Sequence, residues 1–260
     1  MRLKLLAAAI AGSVVAGGAL AADLPTHKAP PAYAAPSPVW SWTGCHVGAN
    51  IGYGWQANQV YDPQTSAGAG SDTSDGLVGG GQLGCDYQAS SWVLGVQGTL
   101  DAAGVNGSHI YPPPNGDPGE TLGFNTSWVA TETGRVGYLL MPQALAYFRG
   151  GLAEAGIRYT DADPNVSAIS PYSGSESATR VGWTVGGGVE YSFARNWSVF
   201  AEYDYIGFGN QNATLTYTAP NPANAKPYTY RETNDLQTLL VGLNFKFDWA
   251  ASPAPVSAKY

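Results

Sequence analysis

The sequence predicts an all-β fold, an eight-stranded antiparallel up-and-down transmembrane β-barrel, and three observations carry that prediction. Apolar residues alternate with small or polar ones at a period of two, which is typical of strands with two different faces. Only 12% of the 260 residues are charged and 34 are glycine, whereas soluble domains contain about 25% charged residues. Short and long connections alternate along the chain, as they do in outer-membrane barrels.

The first 21 residues have the features of a secretory signal peptide. Arg2 and Lys4 precede an apolar run from Leu5 to Leu20, and Ala19-Leu20-Ala21 is a small-residue cleavage motif. The run is too short, and wrongly flanked, for a membrane anchor. We therefore expect residues 1–21 to be removed after export to an oxidising compartment beyond the inner membrane.

Residues 22–41 are predicted to form a periplasmic linker, because five prolines between positions 25 and 38 prevent regular strand pairing. The barrel is then expected to occupy residues 42–248, and residues 249–260 form a tail. The first strand pattern runs from Trp42 to Trp55. Its apolar face comprises Cys45, Val47, Ala49, Ile51, Tyr53 and Trp55. Seven further segments repeat this alternation, each long enough for the 9–11 residues of a tilted membrane strand.

The connections between these segments differ in length. Three are tight, at Gln88–Ser91, Met141–Gln143 and Ala194–Asn196. Four long loops, rich in Gly, Pro, Asn, Ser and Thr, are expected at Gln56–Asp75, Gly104–Phe124, Thr160–Thr179 and Gly207–Asp235. Outer-membrane barrels have short turns on the periplasmic side and long loops outside. An even number of strands then places both termini in the periplasm.

Alternation alone would also fit a soluble barrel with an apolar interior. Aromatic residues near the ends of the apolar faces, and glycine mixed with charge on the other faces, favour lipid outside. A closed barrel also pairs every backbone polar group in hydrocarbon. The last strand resembles the C-terminal assembly signal of outer-membrane barrels through Gly242, Phe245 and Phe247, although here the chain continues for 13 residues beyond Phe247.

The chain has two cysteines, Cys45 and Cys85. If the first two strands pair with Trp42 near Gln88, these cysteines face each other. Directly opposed antiparallel residues lie about 4.5–5.5 Å apart, a distance that a disulfide can bridge. We expect a disulfide that joins the first hairpin; two free apolar thiols are the alternative.

Charged residues on the inward faces must be paired, because an eight-stranded barrel is barely wide enough for its own side chains. Arg135 and Arg149 are expected nearly opposite each other, with Glu190 and Glu202 as the best partners. These ion pairs either plug the bore or form a gated polar path for small ions. By parity, Glu132 and Glu154 lie on the apolar face, where a carboxylate is unfavourable. We favour a bulge that changes the register, or a position at the outer rim, as the explanation. For Glu132, a subunit contact or a protonated carboxyl group are the alternatives.

The sequence does not suggest catalysis, a cofactor or a metal site. His27, His46 and His109 have no nucleophile in a recognisable constellation, and zinc-type Cys/His spacing is absent. Asp62, Asp72 and Asp75 could together hold Ca²⁺, but solvated loop acids are the simpler interpretation. A net charge of −7 argues against nucleic-acid binding, which needs basic groups to neutralise phosphates.

Six segments resemble a known family. They are Trp42–Trp55, Gly79–Tyr87, Gly134–Tyr138, Tyr147–Ala153, Gly182–Tyr191 and Trp197–Tyr205. They look like the small outer-membrane β-barrel, or porin-family, proteins of alpha-proteobacteria, which are similar in architecture to the OmpA transmembrane domain.

The resemblance implies a surface barrel with a structural role in the cell envelope, exposed to hosts or phage. A small passive porin is the alternative, and a lipid-modifying enzyme is the least favoured. The predicted partners are outer-membrane lipid and lipopolysaccharide, the barrel-assembly machinery and, through the long loops, host or phage surface ligands. The oligomeric state is left open.

Overall fold

The computed structural model describes residues 40–64, 66–110, 119–163, 172–218 and 227–247. The predicted signal peptide, the linker up to residue 39 and the C-terminal tail lie outside the described residues. The strands are β1 (Gly44–Asp62), β2 (Ala67–Ala89), β3 (Trp92–Ile110), β4 (Thr121–Met141), β5 (Ala144–Asp163), β6 (Tyr172–Ala194), β7 (Trp197–Thr218) and β8 (Tyr228–Lys246). Within the described part of the chain, no helix is long and apolar enough to cross a bilayer.

Each strand pairs antiparallel with its neighbours in sequence, and β1 pairs with β8 to close the barrel. The predicted eight-stranded up-and-down barrel is therefore confirmed. The three tight turns lie at one rim, at Ser90–Ser91, Pro142–Gln143 and Arg195–Asn196. The N-terminal end of β1 and the C-terminal end of β8 reach the same rim, which we call the periplasmic rim because short turns are on that side in outer-membrane barrels.

The strands are 19–23 residues long, about twice the length needed to cross the bilayer. Most of the residues predicted as four long loops are therefore strand, and that expectation was wrong. Gln56–Asp62, for example, pairs with Ala67–Ser74 of β2. Beyond the bilayer the outer face meets water and is polar, while apolar residues such as Leu215 lie inside. The contrast between the two faces is therefore reversed and weaker, although the pairing continues.

A belt of exposed apolar side chains surrounds the periplasmic half of the barrel and marks its membrane-spanning part. Its lower girdle includes Trp92, Tyr138, Tyr191 and Trp197, and its upper girdle includes Tyr53, Trp128, Trp183, Tyr203 and Tyr205. Between the girdles, large apolar residues such as Leu83, Leu100, Phe148 and Leu152 are 60–74% exposed. Above the upper girdle, the outward side chains are largely polar; we call this part of the barrel the collar.

A register shift in β4 changes which residues face the interior. The shift lies between Thr126 and Trp128. Below it the buried positions of β4 are odd-numbered, as at Val129 and Thr131, and above it they are even-numbered, as at Phe124. The extra residue bends the strand where the belt meets the collar, a common use of a β-bulge.

Candidate functional site: the filled bore

The periplasmic mouth of the bore is closed by Trp42, which precedes β1 rather than starting it. Trp42 is 3% exposed and packs against Val93, Leu145 and Tyr147. Its backbone N–H donates to Gln88 Oε1 at 2.8 Å, and its indole Nε1 donates to the Pro142 carbonyl at 3.2 Å. These bonds tie the segment to two different periplasmic turns.

A second tryptophan holds this segment across the mouth. The rings of Trp40 and Trp42 meet edge to face at 5.6 Å. The Lys246 ammonium lies 4.2 Å from the centroid of the Trp40 ring and donates to the Ser41 carbonyl. Cation–π contact and burial therefore fix Trp40–Thr43 to the end of the last strand. Trp40 and Ser41 are the last two residues of the predicted linker, and here they pack against the barrel.

Above Trp42 lies a layer of buried charges that forms one cross-strand row. In register, the row runs Asp86, Gly95, Arg135, Arg149, Gly186 and Asp204, from β2 to β7. The sequence of residue types is the same from either end of the row: acid, glycine, arginine. Like charges directly opposite each other destabilise a sheet, so the central arginines need neighbouring acids.

Each arginine contacts two carboxylates. Arg135 Nε donates to Asp86 Oδ1 at 2.8 Å, and its Nη1 donates to Glu190 Oε2 at 3.0 Å. Arg149 Nη1 lies 2.7 Å from Glu202 Oε1, and its Nε lies 3.0 Å from Asp204 Oδ1. The structure thus brings together all four charged residues that the sequence singled out.

Asp86 and Asp204 are equal partners that sequence reasoning did not pair with the arginines. A sequence signal for these pairs was present. In the cross-strand row, each acid is separated from an arginine by one intervening strand, and that strand has glycine at this position. A Cβ at Gly95 would lie 2.0 Å from Asp86 Oδ1, and one at Gly186 would lie 2.0 Å from Asp204 Oδ1. Glycine at these two positions lets each carboxylate lie over the intervening strand and reach its arginine.

Two further acid oxygens in this layer accept hydrogen bonds from neutral side chains. Ser198 Oγ and Asn244 Nδ2 donate to Glu190 Oε1 at 2.5 and 2.9 Å, and the Tyr147 hydroxyl donates to Glu202 Oε2 at 2.8 Å. Two guanidinium groups face four carboxylates here, so these neutral donors stabilise the charge that the arginines do not neutralise.

The collar end of the bore is filled mainly by apolar and tyrosine side chains. The buried cluster there includes Val60, Val105, Leu122, Phe124, Ile157, Tyr159, Leu215, Tyr217 and Tyr230. A void among them measures about 10 Å³, at the lower limit for holding one water molecule. The bore is thus occupied at three levels: Trp42 with its neighbours, the charged layer and this cluster.

The two cysteines lie at the periplasmic end of the first hairpin. Cys45 of β1 and Cys85 of β2 are register partners and form a disulfide with an S–S distance of 2.05 Å. Both side chains face outward. The bond joins β1 to β2 close to the rim where Trp42 closes the mouth.

The three residues of the predicted assembly signal divide between the two faces of β8. Gly242 faces inward, with the Phe200 ring lying where a Cβ would be. Phe245 faces outward in the lower girdle, 5.1 Å from the Trp197 ring and 5.5 Å from the Phe247 ring. Their role in assembly stays a prediction.

Glu132 lies on the outer face within the belt, between Trp128 and Tyr138 on the same strand, and is exposed. The bulge interpretation was wrong for this residue, because the register shift comes above it and leaves its orientation unchanged. Glu154 is also exposed on the outer face, opposite Ala130. It lies one outward position below Gly156, which Trp128 of the upper girdle covers, so the rim interpretation fits Glu154.

The three loop acids considered for calcium point to different partners. Asp62 Oδ2 accepts a hydrogen bond from the Tyr228 hydroxyl at 2.7 Å, Asp72 faces His109, and Asp75 accepts from the Tyr53 hydroxyl. Among the residues the structure describes, no group of three or more His, Cys, Asp or Glu side chains is arranged to hold a metal ion.

His109 lies in the collar, above the membrane-spanning belt. Its Nδ1 is 3.8 Å from Asp72 Oδ1, its Nε2 is 3.0 Å from the Ala69 carbonyl, and its ring stacks on Phe124. Partial burial favours the neutral ring, but Asp72 and the Ala69 carbonyl outweigh it and raise the pKa of His109 above its ordinary value. Gly70 is required beside it: its φ is +117° and a Cβ would meet the ring at 2.5 Å.

The chain matches known proteins along most of its length. The family model described as outer membrane protein beta-barrel domain matches residues 9–247. The 31 kDa outer-membrane immunogenic protein of Brucella melitensis is 29% identical over 94% of this chain and 100% of its own length. The 25 kDa outer-membrane immunogenic protein of Brucella abortus is 30% identical over 88% of this chain and 91% of its own.

Among solved structures, the outer membrane protease OmpT of Escherichia coli aligns at 10% identity with a TM-score of 0.46. The alignment covers 82% of this chain and 99% of that one.

Proposed function

Since this chain belongs to the outer membrane protein β-barrel domain family and lies in the outer membrane, we propose that it is a structural, non-enzymatic barrel of the cell envelope whose collar mediates surface interactions. The family confirms the resemblance that the sequence motifs indicated. The choice between a structural barrel and a porin rests on the interior of the barrel.

The filled bore is the observation that carries the proposal. Conduction needs a continuous path of water, but the bore is occupied by Trp42, by the charged layer around Arg135 and Arg149, and by the apolar cluster of the collar. An eight-stranded barrel is just wide enough for its side chains to fill it. A barrel filled in this way supports a structural role over a small passive porin.

The collar supports the surface-interaction part of the proposal. The strands continue as hydrogen-bonded pairs well beyond the upper girdle, and above their register shift β4 and β5 stay paired up to Thr121 and Ala162. Paired strands hold their surface in one conformation, so a partner loses little free energy in ordering them. The outer wall of the collar is therefore a fixed, polar surface on which recognition could occur.

Two histidine environments support the non-enzymatic part. His46 Nδ1 lies 3.5 Å from Asp86 inside the bore, and His109 lies between Asp72 and Phe124. Each ring faces a carboxylate, but in the described part of the chain no hydroxyl or thiol is hydrogen-bonded to either ring, so neither histidine has a serine, threonine or cysteine nucleophile to activate.

Single-channel recording in planar bilayers tests the proposal against the porin alternative. We expect no conductance steps from the mature wild-type protein, with insertion verified by its heat-modifiable migration in SDS gels and by a known porin added to the same bilayer. A triple variant, Trp42→Ala with Arg135→Ala and Arg149→Ala, removes two of the three obstructions and serves as the matched comparison. Reproducible steps from wild-type protein would instead favour the porin.

A further inference from the structure

A concavity of about 520 Å³ opens on the outer wall of the collar, where β1, β2, β7 and β8 adjoin. This volume is within the range of small-molecule sites. Its polar lining comprises Gln59, Tyr61, Ser71, Asn210, Arg231 and Thr233.

Two adjacent cross-strand rows form the concavity. In the lower row, Thr233 is the register partner of both Gln59 and Asn210, and Ser71 is the partner of Gln59. Four neutral hydrogen-bonding side chains from four strands therefore lie side by side. In the row above, Arg231 lies between Tyr61 and Asn212. A guanidinium group therefore adjoins the row of neutral polar side chains.

Irregular pairing explains why the wall is concave here. The β1–β2 register shifts between Val60 and Tyr61, and the β7–β8 register shifts between Gly207 and Asn210. Gly209 adopts a φ of +63° at the second shift. Bulges bend a strand and redirect its side chains, and these two flank the concavity on opposite sides.

The positive charge in the concavity is not neutralised by the described residues. Arg231 is exposed and is the one charged side chain lining the site. Its neighbour Glu232 points into the bore and is 3% exposed. The next outward carboxylate on β8, Asp235, lies four residues below Arg231, opposite Gly207 of β7.

Polar donors remain available beside the arginine. The Thr233 hydroxyl donates to Asn210 Oδ1 at 2.6 Å, which leaves the Asn210 amide N–H groups to donate elsewhere. Arginine binds phosphate and carboxylate through two parallel hydrogen bonds, and amide and hydroxyl groups suit the hydroxyls of a sugar. The concavity thus has the chemistry of a site for an anionic saccharide.

The height and direction of the site identify the occupant. Tyr203 of the upper girdle donates to Gln237 of β8 at 2.6 Å, so Gln237 lies at the height of that girdle. Arg231 precedes it by six residues on the same strand, on the side away from the membrane. At about 3.3 Å per residue and a tilt of about 40°, Arg231 stands roughly 15 Å above the girdle. The concavity opens sideways, toward molecules that stand in the same leaflet rather than toward the medium.

We propose that this concavity binds a phosphorylated or carboxylated sugar of lipopolysaccharide, with Arg231 clamping the anion and Gln59, Asn210 and Thr233 contacting the saccharide. Lipopolysaccharide places acidic sugars just above the outer-leaflet hydrocarbon, beside the barrel. The site would hold lipid against one side of the wall, and it requires only the outer-membrane location, not the structural role proposed above.

Titration of the purified mature protein in detergent with fluorescent lipopolysaccharide, truncated to lipid A and inner-core sugars, tests the proposal. We expect Arg231→Gln to weaken binding at least tenfold and Asn210→Ala to weaken it several-fold. Arg158→Gln is the matched control, because Arg158 is an exposed, outward-facing arginine of the collar on β5, outside the concavity. It should change the affinity less than twofold.

Three results would overturn the proposal. Equal affinities of the Arg231→Gln and Arg158→Gln proteins for lipopolysaccharide would show that binding depends on the total charge of the collar and not on this concavity. Equally tight binding of phosphatidylglycerol micelles would show that any anionic lipid suffices, and stronger binding of a soluble sulfated oligosaccharide would assign the site to a ligand from the medium. Heat-modifiable gel migration verifies folding of each variant; if Arg231→Gln does not fold, Asn210→Ala and Arg231→Lys give the comparison.

Discussion

Arg135 and Arg149 are direct register partners on β4 and β5, and each guanidinium is held by two carboxylates on other strands. The arrangement gives the charged layer an approximate two-fold pattern, in which an acid lies across a glycine on either side of the arginine pair. Removing one arginine therefore leaves two buried carboxylates without a cation.

The first prediction concerns Arg149, which is 4% exposed. Arg149→Ala leaves Glu202 and Asp204 buried without their cation and should lower the free energy of unfolding by about 3–5 kcal/mol. Urea unfolding in detergent, followed by tryptophan fluorescence, measures the change. Adding Glu202→Gln and Asp204→Asn should recover part of the loss, whereas Arg158→Ala on the exposed wall should change stability by less than about 0.5 kcal/mol. A loss no larger than this control would contradict the buried-pair interpretation.

The second prediction concerns the closure of the periplasmic mouth. Trp42→Ala removes a buried indole from its contacts with Val93, Leu145 and Tyr147 and should cost about 3 kcal/mol, the lower end for such truncations, because the segment can detach locally. Equilibrium unfolding gives the value, and Trp40→Ala should cost less. The single Trp42→Ala variant should stay silent in planar bilayers, since the charged layer remains; conductance from it would show that Trp42 alone closes the bore.

The third prediction concerns the disulfide. Cys45 and Cys85 are separated by 40 residues, and closing a loop of this size stabilises by up to about 4 kcal/mol in the chain-entropy model. Cys45→Ser with Cys85→Ser should lower the urea midpoint accordingly without preventing folding. Mass spectrometry after alkylation without reductant should find neither cysteine of the wild-type protein modified. Two modified cysteines would exclude the bond in the mature protein.

The fourth prediction concerns the carboxylate of Glu132 in the apolar belt. A lipid-facing acid is penalised, though less than a lysine or arginine, so Glu132→Leu should raise the free energy of unfolding in phospholipid vesicles by about 1–2 kcal/mol. Glu154→Leu is the comparison, and it should gain less because Glu154 lies near the upper girdle. A loss of stability in Glu132→Leu would indicate that the carboxylate has a partner in the membrane.

The fifth prediction is a pH dependence in the collar. The pKa of His109 is raised in the folded protein, whereas in the unfolded chain it should be about 6.5, the ordinary value for histidine. The charged His109 ring therefore stabilises the folded protein fully at a pH below the pKa of His109 in the unfolded chain. This stabilisation is lost as the pH rises through the pKa of His109 in the folded protein. His109→Gln should cost more stability at about pH 5.5 than at about pH 8.5, on either side of that ordinary value, in thermal unfolding at both. A loss of stability that does not depend on pH would contradict this prediction and would show that His109 stabilises the collar only by packing on Phe124.

The sequence predicted the faces of the strands correctly wherever lipid is outside. In β1, the alternation from Cys45 to Trp55 assigned Asn50 to the interior and Ile51 to the exterior, as found. The contrast between hydrocarbon and a polar bore is what makes this pattern visible. The long strands were not predictable from it, because in the collar water lies outside and apolar residues such as Val60 and Phe124 lie inside, which reverses and weakens the contrast.

Two other features left little trace in the sequence. The register shift at Thr126–Trp128 changes parity without any glycine or proline to mark it. The concavity around Arg231 depends on two register shifts, each with glycine in the bulged strand, and on side chains from four strands that are far apart in the chain. Features of this kind arise from pairing geometry between strands, which period-two patterns along one strand do not contain.

The seam between β1 and β8 sets the order of biogenesis. Val47 is paired in register with Phe245, so the ring can close only after all eight strands have been made. A nascent chain that stops short of β8 would expose two unpaired strand edges to hydrocarbon, at a cost of several kcal/mol for each unsatisfied group. Pairing of β1 with β8 is therefore the step that removes the last exposed backbone edges from hydrocarbon.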